Sequence, residues 1–208
     1  MTLRRTVLGW LAIPLFGAAI ASGNNIVLNG GFENPFLPAD SFAYFSSIPG
    51  WQLAFGNAVE IQSGIAGAPY QDAQFAELDS TASSGIYQDL ATIPGAQYDL
   101  SFAFSPRPGI PAAQSQLRVW WGGNVVATIG PAGGPDLQNT VWTVYNYQLT
   151  AHGESTRLEF ADMGPSDSFG TYIDAISVIT AVPEPASFAL IGVGLVTTGF
   201  IFRRARKR

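Results

Sequence analysis

The feature that most constrains this chain is a series of short segments in which apolar and polar residues alternate. The clearest is YDLSFAFS, where four large apolar residues recur at every second position: Tyr98, Leu100, Phe102 and Phe104. A period of two places successive side chains on opposite faces of a β-strand. Similar segments follow, separated by Gly, Pro, Asn, Asp and Ser, and none shows a long 3.6-residue apolar period. The pattern predicts an antiparallel β-sandwich.

One pair of segments, QLRVWWGGNVVATI, predicts a β-hairpin that turns at Gly122-Gly123-Asn124. Its first strand contains adjacent tryptophans, which must face opposite sides. If Val119 and Trp121 face the core, then Arg118 and Trp120 face solvent. An exposed tryptophan in a polar row is a candidate carbohydrate-binding platform, so we predict Trp120 and Arg118 as sugar-binding residues. The alternative is ordinary packing, the usual role of an aromatic residue in a sandwich.

The N-terminal segment predicts export. Arg4 and Arg5 precede the apolar run VLGWLAIPLFGAAIA, which closes on Ala19-Ile20-Ala21. A charged start, an apolar stretch and a small-residue cleavage motif are typical of a signal peptide, here residues 1–21. The pair of arginines also fits a twin-arginine signal loosely, but the strongly apolar run favours ordinary secretion. The body, residues 22–181, is therefore expected outside the cytoplasm.

The C-terminal segment has three parts. Pro183-Glu184-Pro185 precedes an uncharged stretch, residues 186–202, and a tail at 203–208 with five cationic side chains. The stretch has the minimum length for a transmembrane helix, and a basic flank favours the cytoplasmic side. We expect a single helix that anchors the precursor in the inner membrane. The alternative is a buried C-terminal helix of the domain.

This order of triplet, apolar helix and basic tail resembles the PEP-CTERM sorting signal of Gram-negative bacteria. The resemblance covers residues 182–208. It implies that a membrane protease, the exosortase, recognises Pro183, Glu184 and Pro185 and releases or transfers the exported body. The cell surface or the extracellular matrix would then be the destination. Members of the family tend to occur in bacteria that make exopolysaccharide.

The charge of the body excludes several functions. Although the whole chain carries −5, residues 22–181 hold only three cations, Arg107, Arg118 and Arg157, against 14 carboxylates. Such a body repels nucleic acid and anionic membrane surfaces and attracts divalent cations. The chain has no cysteine. Disulfides, thiolate metal sites and cysteine nucleophiles are therefore excluded.

A second resemblance spans nearly the whole body. The segments VLNGGFENP (27–35), IPGW (48–51), GIYQDLATIPGAQYDLSFAFS (85–105) and YIDAISV (172–178) follow in the order found in galactose-binding-like jelly rolls. That fold occurs in DUF642-type and choice-of-anchor secreted proteins and in several carbohydrate-binding modules. The resemblance implies at least eight strands, a ligand-binding role, and one structural calcium ion held by Glu33 and Asp174. The alternative is that both carboxylates are simply exposed or hydrogen-bonded.

Catalytic motifs are scarce. His152 is the single histidine, and no G-x-S-x-G elbow occurs. Carboxylates for a glycosidase are present in the body: Glu60, Glu77, Asp79 and Asp89. No spacing singles out a pair, and an acidic surface is the ordinary explanation. We predict no catalytic residue and a protein that is not an enzyme.

The sequence therefore predicts an exported β-sandwich, sorted by exosortase, that binds or organises extracellular polysaccharide. A structural matrix or adhesion protein without a sugar pocket is the alternative. A surface glycan hydrolase is a third alternative.

Overall fold

The computed structural model describes residues 23–181, so the predicted signal peptide, the triplet and the predicted membrane helix lie outside the described residues. Within this range, twelve β-strands follow in chain order: β1 Ser41–Phe45, β2 Ser47–Ile48, β3 Trp51–Phe55, β4 Val59–Ser63, β5 Phe75–Glu77, β6 Gly85–Ala91, β7 Gln97–Ser105, β8 Leu117–Trp121, β9 Asn124–Ile129, β10 Thr143–Thr150, β11 Ser155–Asp162 and β12 Tyr172–Thr180. Helical structure in the same residues is limited to a 3₁₀ turn at Ala112–Gln114. No helix of this part of the chain has the length and apolarity needed to cross a membrane.

The strands of residues 23–181 form two six-stranded sheets. Sheet 1 has the order β1-β4-β5-β12-β7-β10, and sheet 2 has the order β2-β3-β6-β11-β8-β9. All neighbouring pairs are antiparallel. The predicted all-β jelly-roll sandwich is confirmed. The strand count exceeds the expected minimum because short elements such as β2 and β5 add to the longer strands.

The core lies where the two sheets face each other. The four alternating residues of β7 named above are buried, as the period of two predicts. Phe102 of sheet 1 meets Phe160 of sheet 2 at 5.1 Å between ring centroids, and Trp51 meets Phe160 at 6.1 Å. Both pairs are edge-on, the arrangement that aromatic quadrupoles favour. The contact of Phe102 with Phe160 therefore joins the two sheets, and Trp51 extends the aromatic cluster within sheet 2.

The β8–β9 hairpin turns as the sequence predicts. Gly122 and Gly123 have φ of 55° and 82°, the left-handed region that a two-residue hairpin turn requires. Trp121 points inward, is 4% exposed, and donates its indole N–H to the Thr150 carbonyl at 2.9 Å. Trp120 lies on the opposite face of β8, partly exposed. The two tryptophans therefore have different structural roles.

We expect the two tryptophans to differ in their effect on stability. Trp121→Ala removes a buried side chain and should lower the free energy of unfolding by about 3–5 kcal/mol. Trp120→Ala changes a partly exposed position and should stay within about 0.5 kcal/mol of wild type. Thermal or denaturant unfolding of both variants measures the difference. Equal melting of the two variants would contradict the orientation of β8.

Candidate functional site

The outer face of sheet 1, opposite the core, carries a pocket of about 280 Å³. Its rim includes three exposed apolar side chains, Phe42, Tyr44 and Ile65. Its floor is polar and includes Glu60, Gln62 and Arg107. A concave surface with apolar walls and a few polar groups is the usual form of a ligand site.

Strand register brings the polar floor together. Tyr44 pairs with Glu60 across β1 and β4, Glu60 with Glu77 across β4 and β5, and Glu77 with Tyr172 across β5 and β12. Directly paired residues point to the same face of a sheet, with Cβ atoms about 4.5–5.5 Å apart. Gln62 follows Glu60 on the same face of β4, because the residue between them, Ile61, belongs to the core. One row of side chains thus crosses four strands.

Most of the carboxylates named in the sequence are buried, contrary to the explanation by an acidic surface. Glu77 and Asp79 are 0% exposed and Glu60 is 6% exposed. Only Asp89 lies on the surface, where it pairs with Arg157 at 2.8 Å. That explanation is wrong for three of the four because loops cover the outer face of sheet 1, which strand alternation alone would leave in water. Glu60 and Glu77 are also directly opposite each other on β4 and β5, a pairing that their spacing in the sequence does not indicate.

Glu77 is held by donors on all sides. Arg107 Nη1 lies 2.6 Å and 2.7 Å from its two oxygens, the Gly170 amide donates at 2.8 Å, and Gln62 Nε2 donates at 2.5 Å. Burial raises the pKa of Glu77, and the Arg107 guanidinium acts in the opposite direction. A protonated carboxyl would need an acceptor for its proton, and these neighbours are all donors. The contacts therefore fit an ionised Glu77 paired with Arg107.

Gln62 leaves one polar atom without a partner. Its Nε2 donates to Glu60 at 2.8 Å as well as to Glu77, so the two carboxylates fix the orientation of the amide. Its Oε1 is buried and has no hydrogen-bond partner among the described residues. A buried acceptor without a donor is costly, by about 1–3 kcal/mol. The floor of the pocket therefore lacks a hydrogen-bond donor to this oxygen.

The pocket also carries unbalanced charge. Two carboxylates, Glu60 and Glu77, share one guanidinium, and that guanidinium contacts Glu77 directly. Burial raises the pKa of Glu60, while the Gln62 amide, the Arg107 guanidinium and the Tyr44 hydroxyl oppose the rise. Arg107 is fixed further by the ring of Phe169, 4.9 Å from its guanidinium carbon. With all three groups ionised, the floor has a net charge of −1.

Arg107, Gln62 and Tyr44 were not predicted as site residues. Arg107 offered the one usable signal, because it is one of only three cations of the body and lies in the Pro-rich segment after β7. A lone cation in an acidic domain is a candidate partner for a buried carboxylate. The pairing of Gln62 with two carboxylates depends on the register of β4 and β5, which the sequence does not reveal.

The predicted platform residues lie on the outer face of sheet 2. Trp120 and Arg118 face outward from β8, with the guanidinium carbon of Arg118 5.8 Å from the indole centroid. Trp120 pairs in register with Glu159, which pairs with Tyr87 on β6. Arg157 covers the ring of Tyr87 at 3.6 Å. The structure thus brings Trp120 and Arg118 together, and their role in sugar binding stays a prediction.

Glu33 and Asp174 also lie together, with Gly31 between them. A Cβ on Gly31 would lie 3.9 Å from Glu33 Cγ and 4.0 Å from Asp174 Oδ1. One loop holds both carboxylates: the amides of Tyr70 and Gln71 donate to Asp174, and those of residues 73 and 74 donate to Glu33. The first and last segments of the domain therefore meet at a pair of carboxylates.

Backbone geometry near this pair is tightly constrained. A side chain on Gly30 would come within 2.0 Å of the Ile176 carbonyl, so only glycine allows the first segment to lie against β12. The Ile176 amide donates to the Gly30 carbonyl at 2.9 Å. β12 bulges between Asp174 and Ser177, with Ala175 at φ 50°. A bulge of this kind turns a side chain away from the regular ladder, and here it lies directly after Asp174.

Calcium at this pair stays a prediction, because backbone amides already donate to both carboxylates, including that of Ala175 to Asp174 at 2.6 Å. Burial raises the pKa of Asp174 to about 7, and the charge of Glu33 adds to the rise. The two ion pairs of residues 23–181 involve neither carboxylate. No third Asp, Glu, His or Cys joins them in this range. Calcium takes six to eight oxygens, so Glu33 and Asp174 would need backbone carbonyls and water to complete the shell.

Comparison with known proteins identifies the C-terminal sorting signal and finds curated relatives of the chain. Residues 181–207 match the PEP-CTERM protein-sorting motif, so the predicted sorting signal is confirmed and implies an exported protein processed by exosortase. The multifunctional-autoprocessing repeats-in-toxin of Vibrio cholerae is 29% identical over 170 residues, 78% of this chain. The corresponding toxin of Vibrio vulnificus is 28% identical over 73% of the chain. The chain spans about 3% of the length of these curated relatives.

Solved structures share the sandwich. The Stig cyclase Fisc from Fischerella sp. TAU is similar with a TM-score of 0.56 at 15% identity, covering 79% of this chain and all of that one. The structure of TmCBM61 in complex with β-1,4-galactotriose has a TM-score of 0.49 at 14% identity, covering 76% and 99%. At such identities the likeness to the cyclase shows the fold alone.

We predict that calcium stabilises the domain. Saturation at about a hundredfold excess over Kd should add about 2.7 kcal/mol to the free energy of unfolding. Melting in calcium and in chelator measures this gain. Glu33→Gln should abolish it, whereas Asp89→Asn on the other sheet should keep it. Equal melting of the wild type in calcium and in chelator would contradict the site.

The calcium effect should depend on pH. The pKa of Asp174 rises on folding from 3.8 to about 7, so the metal-free folded state binds more protons than the unfolded state in this window. This group therefore costs the metal-free domain stability as the pH rises through the window. Calcium requires the ionised carboxylate, so its stabilising effect should be larger at pH 8 than at pH 5. An effect independent of pH would argue against Asp174 as a ligand.

Proposed function

We propose that the domain is exported and binds extracellular polysaccharide through the pocket on the outer face of sheet 1. The observation that carries this proposal is the unpartnered Oε1 of Gln62 at the floor of a pocket with exposed aromatic walls. A saccharide supplies what the pocket lacks, since its hydroxyls donate hydrogen bonds and its C–H faces stack on aromatic rings.

The geometry of the rim supports a sugar ring more than a flat or charged surface. Tyr44 is 49% exposed, and its ring meets that of Phe42 edge-on at 5.5 Å. These rings stand on β1, an edge strand of sheet 1, beside the polar residues of β4. A pyranose placed against the rings has its hydroxyl edge toward Glu60 and Gln62. An apolar wall beside fixed polar groups gives both affinity and orientation.

The outer face of sheet 2 is a second candidate surface. Trp120 and Arg118 stand together there on β8, partly exposed, as the sequence analysis proposed. This surface offers a sugar fewer free aromatic rings than the pocket does, because Tyr87, the one other aromatic residue of its central row, is covered by Arg157. We keep Trp120 as a proposed platform that adds to the pocket.

The carboxylate pair in the pocket is better suited to binding than to hydrolysis. A glycosidase needs one carboxyl to donate a proton and another to attack or to activate water. Glu77 is fully buried, and its oxygens accept from Arg107, Gly170 and Gln62. A carboxylate surrounded by donors holds no proton to give. The hydrolase alternative therefore has less support than a binding role.

Binding should separate the two candidate surfaces. We expect Tyr44→Ala to weaken binding of extracellular polysaccharide about tenfold, because the pocket loses an aromatic wall worth about 1.4 kcal/mol. Trp120→Ala tests the proposed platform on the opposite sheet, where a smaller loss is expected. Affinity electrophoresis of the full-length protein and both variants against the polysaccharide of the producing bacterium measures the effect. Unchanged binding in both variants would favour the structural matrix protein.

Processing at the triplet is the second part of the proposal. The motif implies an encounter with exosortase, and we propose that the membrane-anchored precursor is cleaved near Pro183–Pro185. Mature protein should then lack the tail, and Glu184→Ala should leave the precursor in the membrane. Mass spectrometry of native protein checks the first point, and an intact Arg208 would contradict it.

A further inference from the structure

The polar floor of the pocket offers acceptors in excess of donors. Glu60 contributes a carboxylate, Gln62 contributes the unpartnered Oε1, and the single cation of the floor, Arg107, is engaged by Glu77. The exposed rings of Phe42 and Tyr44 add two electron-rich faces at the rim. Hydrogen-bond acceptors and aromatic faces both favour a ligand group that donates hydrogen bonds and carries positive charge.

We propose that this pocket selects amino sugars, binding a protonated amine between the Glu60 carboxylate, Gln62 Oε1 and the Tyr44 ring. The inference rests on the proposed sugar-binding function and names the substrate class of the same site. The ligand is a polysaccharide with free amino groups on its sugar units.

A protonated amine fits better than a hydroxyl for a reason of charge. A hydroxyl satisfies Gln62 Oε1 but supplies no counter-ion to Glu60, which takes part in neither ion pair of residues 23–181. It also brings oxygen lone pairs close to Glu60. An ammonium group has three donors and no acceptor, so its contacts with the Glu60 carboxylate and with Gln62 Oε1 are both favourable. It balances the charge that Arg107 leaves uncompensated.

The surroundings of the pocket favour the same ligand. The body has 14 carboxylates against three arginines, so a polycationic chain is attracted and a polyanionic chain is repelled. Two of those arginines, Arg118 and Arg157, lie on sheet 2, away from this pocket. Long-range attraction alone does not discriminate among positions on a sugar. The contact with Glu60 and Gln62 supplies that discrimination.

The test compares three oligosaccharides with the same β-1,4 backbone. Chito-oligosaccharides with free amines, their N-acetylated counterparts, and cello-oligosaccharides differ only at one position of each sugar, as amine, acetamide or hydroxyl. Calorimetric titration of the full-length protein in neutral detergent gives the three affinities. We expect the amine form to bind about tenfold more tightly than either neutral form, the gain typical of one charge-assisted hydrogen bond.

Three variants test whether this preference belongs to the pocket. Glu60→Gln keeps the shape and removes the charge, so it should abolish the preference for the amine. Glu154→Gln removes the same charge from an exposed position elsewhere and should leave the preference intact. Tyr44→Leu changes a half-exposed ring and should weaken binding of the amine form even if Glu60→Gln proves unstable.

The outcomes separate this inference from the proposed function. Equal affinity for amine and hydroxyl forms would overturn the inference and leave sugar binding intact. A preference that survives in Glu60→Gln would assign it to the general acidic surface and would also overturn the inference. If the protein bound none of the three oligosaccharides but did bind the native polysaccharide, amine selection would be wrong. Failure to bind any saccharide would overturn both proposals.

Discussion

The ion pair between Arg107 and Glu77 is the interaction on which the outer face of sheet 1 depends. Glu77 stands in the middle of the sheet with no access to water, and an isolated carboxylate there would cost several kcal/mol. Arg107 comes from the segment after β7, and Gly170 from the segment before β12. The contacts of Arg107 and Gly170 with the Glu77 carboxylate therefore hold both segments over the sheet. Their cover makes a pocket out of a surface that alternation alone would leave flat and solvated.

The sequence predicts well those features that depend on local alternation. The buried side chains of β7 and the inward orientation of Trp121 follow from a period of two, and the β8–β9 turn follows from two glycines. The polar floor follows from long-range pairing instead. β5 has three residues, too few to show a period, and every residue of β4 is buried. Local patterns therefore mark the core and do not reveal which polar residues the loops enclose.

The resemblance to galactose-binding-like jelly rolls supplied what periodicity did not. It brought Glu33 and Asp174 together, although 141 positions separate them in the sequence. The structure shows why these two positions meet: the Ile26 amide donates to the Val178 carbonyl, and Gly30 lies against Ile176. The first segment thus runs along β12. This contact places Glu33 of the first segment next to Asp174 of β12.

The proposed calcium site and the pocket share structural elements. Tyr172 and Asp174 are alternate residues of β12, so both point to the outer face of sheet 1. The segment that holds Asp174 through Tyr70 and Gln71 continues from Ile65, which lines the pocket. Ala68, between them, accepts hydrogen bonds from the Thr140 hydroxyl at 2.7 Å and the Trp142 indole at 2.8 Å. A cation at Glu33 and Asp174 would therefore fix one end of the segment that forms the pocket wall. Ligand affinity and metal binding would then be linked through ordering of this loop, because a wall that is already fixed loses less entropy when the sugar binds.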